Sequence, residues 1–174
     1  MVPTREKVMN LLAENYYYFL HTLPYDNKLY MEGMREARGK FLANLHISLL
    51  KNHLPYKHKE RFYSTDYVSL KALELLQNKN WNSNELRYEH MIPKKRYIQD
   101  QCEEWARGGL ISKDKIYNLL IKYFWTATIH KDEDALLSRT KMPDNWDKSN
   151  IFSRYEDVGI ELLSHNKEYF LNEN

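Results

Sequence analysis

Glu89 and His90, with Pro93 three residues on, are the side chains of this chain whose types and spacing best suit chemistry. A second set, Asp132, Glu133 and Asp134, follows the aromatic and β-branched run 123–130. Carboxylates from two separate elements can hold one Mg2+ or Mn2+ that keeps most of its waters. A neutral histidine beside such an ion takes a proton from attacking water, while the ion stabilises charge on the phosphoryl oxygen and leaving group. These are the parts of a minimal phosphodiesterase centre, provided that the surrounding elements bring them together.

The elements that must do so are two strands and a helix. Residues 86–91 read as a strand that Pro93 helps to end, because proline cannot supply the next ladder donor. In a regular strand Glu89 and His90 point to opposite faces, so a shared site needs a twist or break there. The run 123–130, rich in aromatic and β-branched residues, reads as a second strand, and 131–138 as a helix with its acids at the N-terminus, where the dipole favours them. Simpler roles fit the same residues: His90 as a boundary histidine, the acids as an ordinary helix start, and His130 as a strand-end or capping residue or a further metal ligand.

The stretch Glu89 to Pro93, EHMIP, resembles the first motif of the HNH, or ββα-metal, nucleases, in which an acid and a histidine lie side by side and a proline follows. The resemblance implies His90 as general base and Glu89 as a metal ligand. It also implies a ligand on the following helix, Asp134, with Asp132 and Glu133 as competitors. The cofactor implied is Mg2+ or Mn2+, and the activity is hydrolysis of nucleic-acid phosphodiester bonds, with DNA favoured over RNA. Arg87, Lys94, Lys95 and Arg96 would lie beside the metal and contact the phosphate backbone, which positions a strand without reading its sequence.

The rest of the chain reads as a helical scaffold. Thr4 caps a first helix carrying Val8, Leu11, Leu12, Phe19 and Leu20 up to Pro24, where Tyr16, Tyr17 and Tyr18 point in different directions and read as core packing and partial exposure. A longer helix over 31–53 follows, with His46 and His53 as surface or boundary histidines. The segment 56–63 interleaves Lys57, His58, Lys59 and Arg61 with Tyr56, Phe62 and Tyr63, a mixture that suits a nucleic-acid backbone and its bases. Ser64, Thr65 or Asp66 caps a third helix through Val68, Ala72, Leu75 and Leu76. A fourth opens at Lys94 to Arg96, carries Ile98, Cys102 and Trp105, and stops at Gly108 and Gly109; Ser112 caps a fifth through Ile116, Leu119, Leu120 and Tyr123. Tyr155, Val158, Leu162 and Leu163 mark a last helix within 150–170.

The fold class expected is therefore mainly α: one helical domain over 1–174, with 1–80 as scaffold and a small two-stranded insert at 86–138 carrying the candidate ββα-metal site. The 26 basic and 24 acidic residues nearly cancel to a formal net charge of +2, so any basic surface must be local. A single cysteine, Cys102, excludes an intrachain disulfide or a multi-thiolate zinc site and suits a reducing cytoplasm. No apolar run is long enough for a membrane span. Besides the nuclease, two other classes fit: a non-catalytic helical interaction or regulatory protein using its 14 tyrosines, and a nucleic-acid binder that does not cleave.

Overall fold

The structure is a computed structural model that describes residues 3–51, 60–79 and 84–167. It is mainly helical with a small mixed sheet. Helix α1 (Arg5–His21) starts where the Thr4 side chain accepts the Lys7 N–H. The expected second helix is two: α2 (Lys28–Gly33) and α3 (Arg35–Lys51). After the short α4 (Glu60–Tyr63) the chain enters strand β1 (Tyr67–Ser69) and then α5 (Leu70–Gln77).

That order corrects the expected third helix. Val68 lies in the strand, and the cap is Ser69, whose hydroxyl accepts the Ala72 N–H at 3.2 Å. Strand β2 (Leu86–His90) ends one residue early. After Pro93 the chain makes a π-helical turn over Lys95–Gln99 before α6 (Asp100–Arg107). Gly109 stops α6 with a φ of 67°, which glycine adopts without a Cβ clash. Ser112 caps α7 (Lys113–Tyr123) as expected, accepting the Lys115 N–H.

Tyr123 belongs to α7, so β3 covers only Thr126–His130, and α8 only Lys131–Asp134. The expected last helix is instead the single turn α9 (Ser153–Glu156) and the strand β4 (Leu162–Ser164). Leu162 and Leu163 fit helical spacing, but the ladder to β1 makes them strand.

The sheet has four strands in the order β2-β3-β1-β4, two more than expected. β2 and β3 are antiparallel, pairing Glu89 with Ala127 and His90 with Thr126. β1 lies parallel to β3 and antiparallel to β4. One sheet face packs Ala127 and Ile129 against Met91, Leu137, Tyr155 and Ile160. Towards the other lie Val68, Ala72 and Leu76 with Phe62 and Tyr63, next to the main helical core of α1, α3, α6 and α7 around Leu12, Tyr16, Leu42, Ile98 and Leu120. Burial of these apolar side chains, at about 25 cal/mol per Å2, drives the assembly. Among the described residues no helix is long and apolar enough to cross a membrane.

Candidate functional site

The strand–strand–helix order expected for 86–138 forms, and the alternation of β2 decides what it can do. Glu89 and His90 leave the strand on opposite faces.

On one face Glu89 closes onto Arg154, whose side chain is 3% exposed against 22% for Glu89. The same guanidinium donates to the carbonyls of His90 at 2.7 Å and Ser138 at 2.6 Å, so it fastens β2 to the segments before and within α9. Burial raises the Glu89 carboxyl above its usual range, Arg154 offsets this, and the charge of Asp134 adds to the rise. The closest group to Glu89 is therefore a guanidinium.

On the other face His90 sits among rings, with centroids 5.4 Å from Tyr88 and 5.1 Å from Phe124. Its Nδ1 is buried and has no hydrogen-bond partner among the described residues. Burial, with the charges of Lys94, His46 and Arg154, holds the imidazole well below its ordinary pKa. It is neutral, as a base must be, but it does not face the acids.

The acidic turn divides three ways. Glu133 accepts the His130 N–H at 2.8 Å in a capping box and takes a hydrogen bond from the Ser69 hydroxyl. Asp132 lies 3.4 Å from His130 Nδ1, which itself accepts the Asp132 N–H; His130 is thus the capping residue of α8. Of the three, Asp134 is the one whose charge acts on Glu89. Among the described residues no group of three or more His, Cys, Asp or Glu comes together in a way that could hold a metal ion. The residues present do not fit a Mg2+ or Mn2+ centre built on Glu89, Asp132, Glu133 or Asp134 with His90 as base.

The expected phosphate contacts also separate. Lys94 donates to the carbonyl of Gly39, and burial pulls its ammonium down to about 8. Lys95 pairs with Asp100 at 3.1 Å. Arg87 turns back onto the carbonyls of Asn84 and Leu86. Arg96 remains exposed, its guanidinium 5.6 Å from the Tyr97 ring centre. Of the aromatic segment 56–63, residues 56–59 lie outside the described residues, as does His53, while Phe62 and Tyr63 are core.

Two arrangements escaped the sequence. His46, expected at the surface or a boundary, is 2% exposed: its Nδ1 is 3.1 Å from the Tyr88 hydroxyl, and burial lowers its pKa to about 3. Nearby, Asp66 accepts the N–H and Oγ–H of Thr126, both at 2.9 Å, and faces Arg5 at 3.6 Å. Alternation along β2 puts Tyr88 beside His90 and was a readable signal; partners in α1 and α3 were not.

The other arrangement is a surface. Tyr97, Tyr123 and Trp146 are half-buried and form a triad with ring centroids 5.2, 5.8 and 6.4 Å apart. The Tyr97 hydroxyl accepts the Met142 N–H, and the Trp146 indole donates to the Asn150 carbonyl at 2.7 Å, so both rings are held from their polar ends. Arg96 lies against Tyr97, and Lys122 is 4.9 Å from the Tyr123 ring centre. Two acids near Trp146 are engaged locally: Asp144 by Lys141, and Asp147 by Ser149 and Asn150, which hold its carboxyl down at about 2.

No protein-family model matches the chain, and neither the curated proteins nor the solved structures contain a match.

Proposed function

We propose that this chain binds single-stranded nucleic acid. The observation that carries the reading is the triad Tyr97, Tyr123 and Trp146 flanked by Arg96 and Lys122. Aromatic faces accept bases of any sequence, and flanking cations track the phosphates. Rings pinned by Met142 and Asn150 lose little further freedom on binding, which favours affinity.

The test is fluorescence anisotropy of labelled oligo-dT and oligo-U, with duplex DNA for comparison and a salt titration. Trp146→Ala removes one stacking surface worth about 1–3 kcal/mol, so the Kd should rise roughly 5- to 150-fold. Arg96→Ala should flatten the plot of log K against log salt by about 0.7. Binding that ignores salt, or that Trp146→Ala leaves unchanged, would refute the reading.

A further inference from the structure

A cavity of about 180 Å3 opens between α1, α3 and the approach to β1, lined by Arg5, His46, Ser64, Asp66 and Lys167 among others. Two cations and one carboxylate face it. Asp66 is committed to Thr126 and Arg5. Arg5 is fixed as well: its guanidinium lies 3.4 Å from the Trp125 ring centre and donates to the carbonyls of Ile121 and Phe124.

Lys167 is different. Among the described residues its ammonium has the Tyr63 ring at 5.2 Å and neither an ion pair nor a hydrogen bond. Burial lowers its pKa, and the charge of Asp66 offsets this only in part. The cavity thus carries one positive charge beyond what its carboxylate balances. A half-buried cation without a counter-ion is costly, and an anion small enough for the cavity relieves that cost.

We propose that this cavity binds a small tetrahedral oxyanion of the phosphate class, with Lys167 as its counter-charge and Arg5 adding to the positive field. His46 completes the wall. Its Nδ1 is 3.1 Å from the Tyr88 hydroxyl, and in the tautomer that carries the proton on Nε2 the imidazole offers the anion a donor.

The test follows thermal unfolding and isothermal titration of the full chain with inorganic phosphate, against sodium chloride of matched ionic strength. Phosphate should raise the Tm to a plateau that chloride does not reproduce. Lys167→Met should weaken phosphate affinity about tenfold or more, as expected for loss of a charge-assisted contact, and Lys167→Arg should retain most of it. In phosphate-free buffer Lys167→Met should unfold at or above the parent temperature, because it removes an unbalanced charge. Should Lys167→Met not fold, Lys167→Gln serves for the same comparison. A phosphate response no larger than that of chloride, or one undiminished in Lys167→Met, would overturn the proposal.

Discussion

Arg154→Met should be among the most destabilising single substitutions in this protein. The change removes a guanidinium that is 3% exposed and holds Glu89 and the carbonyls of His90 and Ser138. Glu89, 22% exposed, then keeps its charge in a site that already disfavours it. Breaking a buried pair by removing one partner costs about 3–5 kcal/mol, since the other charge is left uncompensated. For a chain of this length that corresponds to a Tm drop of roughly 6–20 °C. Urea unfolding with a double-mutant cycle is the assay. Arg154→Met with Glu89→Gln should recover at least half of the loss, because the stranded charge has gone. The pH dependence supplies a second sign. Without Arg154 the folded-state pKa of Glu89 moves further above its unfolded value of about 4.5, so the folded state holds more protons across that window. The stability of the variant relative to the parent should therefore fall as pH rises from 4.5 and recover on acidification. A Tm loss under about 2 °C, or a deficit independent of pH, would show that Arg154 is not the counter-charge of Glu89.

Ser69→Ala removes both the α5 cap and the bond to Glu133, and should cost about 1–2 kcal/mol by chemical denaturation. His46 and His165 are both held near pKa 3 by burial, against an ordinary 6.5. The unfolded chain binds their protons first, so stability should decline as pH falls through 6.5, by up to about 1.4 kcal/mol per pH unit for each. His46→Gln should shallow that slope, and an unaltered slope would count against His46 as a contributor. Tyr88→Phe strands His46 Nδ1 in the interior and should cost about 1–3 kcal/mol.

Local signals were legible. Ser112 before α7 and Gly109 after α6 are residues whose own chemistry ends or begins a helix, and the aromatic and β-branched run found β3. β1 and β4 are three residues each, and their apolar residues, Val68, Leu162 and Leu163, fit helical spacing equally well. They are strands because of each other and of β3, which no window of sequence displays. The candidate site divides in the same way. That Glu89 and His90 diverge follows from strand alternation alone. That Glu89 meets Arg154, 65 residues on, does not, and it is this pairing that takes Glu89 out of any metal set. Likewise His46 looked like a surface or boundary histidine on its own helix because Tyr88, 42 residues away, was not in view.

The interior position of β1 sets a timetable for synthesis. Asp66, at the threshold of β1, hydrogen-bonds Thr126, 60 residues later, and β4 arrives later still. At about 5–20 residues per second, a ribosome leaves β1 without its parallel neighbour for roughly 3–12 s. Through that interval both edges of Tyr67–Ser69 present unpaired amide and carbonyl groups to the cell, on a nascent chain whose α1 and α3 have already emerged. Slowed elongation across 70–125 would lengthen that exposure, so the yield of folded protein should depend on translation speed more in that interval than upstream of it.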